Sequence, residues 1–305
     1  MLKVRKIALK DKARVIDITK DIWDGEDYMP LVFDGWLAEK DGMFVAAIDE
    51  KGKMIGFEKL TMITDHDAWI EGLRKDMKSK VKGVGVFLTE YIFKELQRYK
   101  GLKTIRFATY IYNQESIALF SKMGFKLLEV KDYKFHTLPK IGFIPVYKNN
   151  RAEIITNKKE VMNYVKRSKW LKNNSTGLCH SWVTKPVTED IIKDYVRNGN
   201  CIGIRSKGEL KALAILNIRE KSELFIVFFE AENEKYALEL LKKIKQTAYK
   251  NKQHTLCTVL SPKDRKLHTF FKYHRFKSWE TEGDFRLFDF PVKKIKNYKF
   301  RNTEF

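Results

Sequence analysis

The stretch Leu73-Arg74-Lys75-Asp-Met-Lys-Ser-Lys80-Val81-Lys82-Gly83-Val84-Gly85 holds the residue types that most directly suggest ligand chemistry. It follows a strand-like segment and opens an amphipathic helix. Glycines at 83 and 85 let the backbone turn tightly and aim its N–H groups at an anion bound at the positive end of that helix. Lys80 and Lys82 add cationic charge. By mechanism this is a pyrophosphate cradle; the alternative is a simple strand–helix turn. No Gly-Lys-Ser/Thr follows, as a triphosphate P-loop requires. The three spaced glycines of the dinucleotide fingerprint are also missing. His66 stands between Asp65 and Asp67, a metal-like cluster with no second His nearby. Neither it nor His136 belongs to an HExxH pair, so no metal site is expected and a polar loop is the reading of this segment.

Composition narrows the classes. The chain has 305 residues and a formal net charge of +21, with 44% hydrophobic and 13% aromatic residues. That is ample for a packed core and excludes wholesale disorder. The length suggests two domains or one large one. No apolar run approaches the roughly 18 residues of a membrane helix, and the charged start MLKVRKIALKDK lacks a signal-peptide core. Cys179, Cys201 and Cys257 are widely spaced without a CxxC pair, and read as reduced thiols of a cytoplasmic protein. The basic excess is mostly Lys, scattered beside Glu and Asp as in DEKGKMIGFEK, so it argues about solubility and partners. It does not single out a nucleic acid.

The elements that must position the loop alternate between strand and helix. IALKDKARVIDITKDIW carries loosely helical apolar spacing, and FVAAIDEKGKMIGFEKLTMI reads as a hairpin around an EKG turn. DAWIEGLRKD is a strand, VFLTEYIFKELQRY a helix, TIRFATYIY a strand, and ESIALFSKMGF a short helix capped at Gly124. This order predicts an α/β or α+β domain with a mixed sheet flanked by helices. The second half repeats it. At an offset of 151 residues, the segment from Asn113 to Phe125 aligns with that from Asp264 to Phe276, pairing Phe120 with Phe271. TIRFATYIY meets TLCTVLSPK at the same offset, and the hairpin GKMIGFEKL matches GELKALAIL with Gly52 on Gly208. A tandem repeat explains this better than chance. The expected division is 1–140 and 150–295, joined by FHTLPKIGFIPVYKNNR with its two prolines, glycine and Asn-Asn pair.

The loop from Leu73 to Gly85 resembles the acetyl-CoA loop of the GNAT superfamily of N-acetyltransferases, whose pattern Arg/Gln-x-x-Gly-x-Gly/Ala here reads Lys80-x-x-Gly83-x-Gly85. Asn113-x-x-Ser-Ile-x-Leu-Phe-x-Lys-x-Gly-Phe125 resembles the family's later Asn…Leu-Tyr…Gly-Phe helix. IWDGEDYMPLVFDGWL and AWIEGLRKD are similar to the histidine N-acetyltransferase branch. The resemblance covers about residues 1–135. It implies tandem acyl-CoA N-acyltransferase folds with a site between the fourth and fifth strands. Leu73, Arg74 and Lys75 would flank pantetheine, and Lys80, Val81, Lys82, Gly83, Val84 and Gly85 would hold the pyrophosphate. Asn113 and Phe120 would face the cofactor. Lys80 replaces the usual Arg or Gln but still binds phosphate as a point charge. Phe120 stands where many relatives carry the Tyr that protonates the leaving thiolate.

Acetyl transfer needs a neutral amine and a departing thiolate. A thiol of pKa about 8.5 leaves without full protonation, so losing that Tyr slows the reaction without forbidding it. Tyr110 or Tyr112 are candidate replacements, against a plain strand-packing role. Glu71 is a candidate base, against a solvent-facing strand carboxylate. Asp27 and Tyr28 fall where the family places its acceptor-binding loop; the alternative is an ordinary turn with Pro30 stopping the chain. Free α-amines titrate near 7.7–8.0 and lysine side chains near 10.4, so an amino-acid α-amine needs less basic help. In the second copy, Ala231-Glu-Asn-Glu-Lys-Tyr236 replaces Lys80–Gly85, which removes both glycines and sets two glutamates where phosphates would lie. The expectation is an acetyl-CoA-dependent N-acetyltransferase for a small amine such as histidine, with no metal and a degenerate second copy. The rivals are a non-catalytic acyl-CoA-binding or scaffold protein and a nucleic-acid-associated acetyltransferase. Oligomeric state is not readable.

Overall fold

The first apolar periodicities become β1 (Lys3–Lys6), α1 (Lys12–Thr19), α2 (Met29–Ala38), β2 (Gly42–Ile48), β3 (Met54–Thr64) and β4 (Asp67–Lys75). α3 (Val84–Leu96), β5 (Thr104–Tyr110), α4 (Gln114–Met123) and β6 (Lys126–Thr137) follow. The computed structural model describes residues 2–141, 143–218 and 223–301. Gly142 of the expected linker lies outside the described residues. Pro30 starts α2 from its first turn, where a missing N–H costs nothing, and so opens a helix where the sequence suggested a stop.

The second half contains β7 (Glu153–Ile154), α5 (Lys158–Arg167), α6 (Lys169–Asn173), β8 (Leu178–His180), β9 (Val183–Lys185) and α7 (Glu189–Arg197). β10 (Cys201–Ser206), β11 (Glu209–Ile218), β12 (Glu223–Ala231), α8 (Glu234–Lys250), β13 (Thr255–Leu260), α9 (Arg265–Tyr273), β14 (Lys277–Ser278) and β15 (Phe285–Asp289) complete it. The contacts divide the chain into two units. One comprises Met1–Thr109, Asn113–Leu128 and Leu287–Phe305; the other comprises Tyr110–Tyr112 and Glu129–Arg286.

In the first unit the sheet order is β1-β2-β3-β4-β5-β15. β2 to β4 form an antiparallel meander and β5 joins β4 in parallel. One face of the sheet packs on α1 and α2 through Val15, Phe33 and Phe57. The other packs on α3 and α4 through Leu88, Phe93, Phe107 and Phe120. Phe288, Phe290 and Ile295 belong to this second core, with Phe290 4.7 Å from the Phe93 ring. Burying a Phe contributes about 2–3 kcal/mol, so the C-terminal segment is held by apolar area. Gln97 Nε2 donates to the Ile295 carbonyl at 2.8 Å, and the Arg301 N–H donates to the buried Glu90 carboxylate at 3.0 Å. The units therefore differ from the sequential division at 140 and 150: residues 287–305 complete the first, and β6 from Glu129 onward belongs to the second.

In the second unit the order is β6-β13-β12-β11-β10-β7, with β14 on β6 and a separate β8–β9 hairpin. β12 and β13 pair in parallel from Glu223↔Thr255 to Ile226↔Thr258. The repeat is visible in small details. The Phe125 N–H donates to the Phe120 carbonyl at 3.0 Å, and 151 residues later the Phe276 N–H donates to that of Phe271 at 2.9 Å. Gly124 at φ +103° is matched by Arg275 at φ +68°, and the hairpin glycines Gly52 and Gly208 take φ +78° and +79°.

Candidate active site

The candidate site begins with a defect in β4. Phe57 pairs with Arg74 and Lys59 with Glu71, so three steps along β4 oppose two along β3 and a bulge falls at Gly72–Leu73. Gly72 takes φ +69°, and a Cβ there would lie 2.5 Å from the Trp36 ring, so the position admits only glycine without rearrangement. Parallel pairing of β4 with β5 covers Asp67↔Thr104, Ala68↔Ile105 and Trp69↔Arg106, then stops. Past Trp69, β4 runs on through the bulge to Lys75 without that partner. A backbone edge released from its neighbour can pair with an extended ligand.

Beyond the bulge the chain is pinned before it loosens. The Asp76 N–H donates to the Ile55 carbonyl at 2.8 Å, and Asp76 Oδ1 accepts the Lys78 N–H at 2.9 Å. Burial pushes the Asp76 carboxyl up, but the Lys78 N–H, Arg14 and Lys53 together hold it below its ordinary value. Gly83 then caps α3 in the left-handed region at φ +77°, with no side chain capping the helix and open space where a Cβ would stand. Lys80 and Lys82 are exposed beside it, and Val81 packs against the core. Gly85 is required for a different reason: a Cβ would lie 2.8 Å from Leu119 Cδ1 and 3.2 Å from Leu73 Cδ2. An uncapped helix start with two free lysines and room at Gly83 fits a pyrophosphate group.

Under this helix start lies Glu58, fully buried on β3. The Thr89 hydroxyl is 3.0 Å from both Glu58 carboxyl oxygens and 3.0 Å from the Gly85 carbonyl. One hydroxyl hydrogen cannot serve three acceptors. Either Thr89 donates to one Glu58 oxygen, or a protonated Glu58 donates to Thr89 and frees that hydroxyl for the Gly85 carbonyl. Burial raises the Glu58 carboxyl well above its usual value, against the smaller opposing pull of the Thr89 hydroxyl.

On the α1–α2 face the bulge presents different chemistry. Thr61 Oγ1 donates to Glu71 Oε1 at 2.6 Å, and buried Lys59 lies 3.7 Å from the same oxygen while bonding Glu39 and Thr61. Lys59 Nζ also sits 5.4 Å from the centre of the Trp36 ring. Arg74 Nε donates to Asp27 Oδ2 at 2.7 Å, and Asp27 Oδ1 accepts the Met29 N–H at 2.9 Å. The Arg74 guanidinium lies over the Trp23 and Tyr28 rings at 4.7 and 5.3 Å. Its Nη2 is buried with no hydrogen-bond partner. Burial and the nearby Glu71 and Asp27 raise the Tyr28 phenol above its ordinary value against the pull of Arg74. Trp23 and Asp24 hold φ +49° and +55°, a non-helical kink in the loop before α2.

Several expected site residues are therefore placed differently from one another. Leu73 turns toward Gly85, whereas Arg74, expected beside pantetheine, buries its side chain against Asp27, Tyr28 and Trp23. Lys75 ends β4, half-buried. Asn113 caps α4, accepting the Ser116 N–H at 3.3 Å and donating to Thr109 Oγ1 at 2.9 Å. Phe120 is buried in the core, 4.1 Å from Phe107 between ring centres, and so packs rather than lines an open surface. Tyr110 and Tyr112 group with the second unit, where the Tyr110 ring meets Trp279 at 5.4 Å. Sequence reading missed Lys59, Thr61, Trp36 and Trp23. The signals for them were a lysine on an otherwise apolar strand and the aromatic spacing of the α1–α2 region. Asp67 spends its carboxylate on the Thr64 and Thr104 hydroxyls, and among the described residues no group of three metal-capable side chains gathers.

The pattern of the acetyltransferase (GNAT) family matches residues 12–125, which include the bulge, the loop and the whole of α4. Residues 12–125 are a GNAT-family acetyltransferase domain. The histidine N-acetyltransferase of Xenopus tropicalis is 32% identical over 101 residues, which is 32% of this chain and 31% of that protein. The match thus spans about a third of the curated relative's length. Two solved structures share the fold over nearly the whole chain. A GCN5-related N-acetyltransferase from Sphaerobacter thermophilus has a TM-score of 0.66 at 10% identity, covering 95% of this chain and 96% of that one. A tandem GNAT protein from the clavulanic acid biosynthesis pathway has a TM-score of 0.62 at 11% identity, covering 96% and 99%. The GNAT domain begins with α1 and ends at Phe125, so Asp27, Tyr28, Glu71 and the loop all lie inside it.

The matching helix of the second unit is finished internally. The Asn233 side chain caps α8 by accepting the Tyr236 N–H at 3.0 Å, and Arg151 lies 5.0 Å from the Tyr236 ring centre. A helix start that its own side chain satisfies offers less to an outside anion than one left open. The GNAT domain has the open form.

Proposed function

We propose that the chain is an N-acetyltransferase moving an acetyl group from acetyl-CoA to a primary amine, with one cofactor site per chain in the GNAT domain. The observation that carries this reading is the joint occurrence of the β4 bulge, the end of β4–β5 pairing at Trp69, and the uncapped, lysine-flanked start of α3. Acetyl-CoA supplies the activated acyl group. The backbone around Leu73 lies along its pantetheine arm, and the N–H groups from Gly83 to Gly85 with Lys80 and Lys82 hold its pyrophosphate. Glu71 accepts the amine proton, directly or through water, while Thr61 and Lys59 orient its carboxylate. The acceptor enters on the Trp36, Tyr28 and Arg74 face, where aromatic rings and a guanidinium suit a small amino acid. An α-amine with a pKa of about 7.7–8.0 is partly neutral at working pH, which suits a site with one modest base. Histidine is the acceptor to try first. The second unit, with its internally capped α8, is a degenerate copy that binds no CoA.

Phe120 favours one further reading, a protein that binds acyl-CoA without transferring it, because a buried phenyl ring offers no proton to a thiolate. The test of the first reading is release of free CoA thiol across a panel of free amino acids and small amines. Turnover with an α-amine acceptor supports transfer. Tight acetyl-CoA binding with no release for any acceptor supports the second reading.

A further inference from the structure

The end of α4 opposite Asn113 forms part of a concavity in the first unit. Between the last turn of α4 and the C-terminal segment lies a groove of about 390 Å³. Its floor is apolar, made by the buried Met123 and Phe290. Tyr298 forms a wall and is held edge-on against Phe93 at 4.9 Å. Its rim is cationic: Lys122, Lys293, Lys294 and Lys299 all line it, and all four are exposed. No carboxylate lines it, and among the described residues none of the four lysines is ion-paired.

Elsewhere in the protein many lysines sit beside acids, as Lys12 does with Asp34 and Lys211 with Glu209. Gathering four unpaired like charges around one concavity is unfavourable until an anion enters it. The frame holding them is fixed. Ile295 is buried, Gln97 holds its carbonyl, and Glu90 holds the Arg301 N–H, so Lys293, Lys294 and Lys299 are presented from an anchored segment. Lysines act as point charges for phosphate without demanding planar, bidentate geometry. The volume lies at the small end of ligand pockets, which matches one nucleotide-sized molecule more closely than an extended strand. The ten residues of α4 put this groove roughly 14 Å along the helix axis from the Asn113 end.

We propose that this groove is a binding site for a small polyphosphate-bearing ligand of the nucleoside di- or triphosphate class, separate from the acetyl-CoA cleft. The lysines neutralise the phosphates while the half-buried Tyr298 and the alkyl stems of the lysines contact the organic part. The experiment is a calorimetric titration of the full chain with ATP in the presence of saturating acetyl-CoA, which removes any contribution from the cofactor cleft. The expected result is one ATP equivalent, with inorganic triphosphate retaining most of the affinity and adenosine alone little. Lys293→Ala with Lys294→Ala should weaken ATP at least tenfold, while Gly83→Glu should leave it unchanged. Those two lysines are exposed, so the variant keeps its fold, which circular dichroism checks. No ATP binding, or binding indifferent to the double variant, overturns the proposal. So does length-dependent binding of single-stranded RNA that ATP cannot displace, which would assign the surface to a nucleic acid.

Discussion

Arg74 and Asp27 are 47 residues apart in sequence, yet Nε of one lies 2.7 Å from Oδ2 of the other, tying the loop before α2 to the bulged end of β4. Both side chains are largely buried, at 11% and 2% exposure. Removing one partner leaves an uncompensated buried charge, which costs about 3–5 kcal/mol. Asp27→Ala should therefore lower unfolding stability by about 3 kcal/mol and raise the acceptor KM more than the acetyl-CoA KM. Adding Arg74→Met should restore most of the stability without restoring acceptor binding. Denaturant melts and two-substrate kinetics measure both; a stable Asp27→Ala protein with normal kinetics would remove the pair from the account.

Glu58 makes stability depend on pH in a stated direction. Its carboxyl is raised by burial in the folded protein and titrates near about 4.3 when unfolded. The folded state holds the proton more tightly, so this contribution is full below the ordinary carboxylate range. It is lost as pH rises from that range toward the raised value, at roughly 1.4 kcal/mol per pH unit within the window. Glu58→Gln keeps the shape and donates to Thr89 without titrating. Its unfolding free energy should gain on the parent protein as pH rises above the ordinary carboxylate range, and parallel curves would show that Glu58 carries no raised pKa in the fold.

The third expectation concerns the C-terminal segment. Phe290 is 1% exposed and packs against Phe93 and Phe125 of the first unit. Phe290→Ala should cost about 3–5 kcal/mol and weaken acetyl-CoA binding with it, because α3 loses a packing partner. Val146→Ala, at an 80% exposed position, is the control and should change little. Thermal melts with and without acetyl-CoA read both effects.

The local parts of this structure were legible because local chemistry wrote them. The hairpin at Gly52, the α4 cap at Gly124, the repeated Phe120 and Phe271 helices and the Gly83–Gly85 loop each depend on residues within a dozen positions of one another. Phe288 and Phe290 gave no such signal: their strand reads the same wherever it pairs, and only pairing with β5 reveals that it completes the first unit. The site divides in the same way. The turn into α3 was visible as glycine and lysine spacing. The contacts of Lys59 and Arg74 were not, because the Gly72–Leu73 bulge breaks the regular alternation of faces along β4 and the partners come from distant elements.

The central claim is that the uncapped start of α3 holds the pyrophosphate of acetyl-CoA. Gly83 is the place to test it, since a side chain there meets no protein atom within 4 Å and so perturbs a ligand more than the core. The left-handed backbone makes any replacement cost about 1–3 kcal/mol of stability, so Gly83→Ala is the reference for strain and Gly83→Glu adds the charge. The measurement is a calorimetric titration of acetyl-CoA into the full chain and both variants. The account predicts one equivalent bound to the parent protein, modest weakening in Gly83→Ala, and at least a further tenfold loss in Gly83→Glu, about 1.4 kcal/mol or more. Unchanged affinity in a folded Gly83→Glu protein, or two equivalents bound per chain, would contradict it.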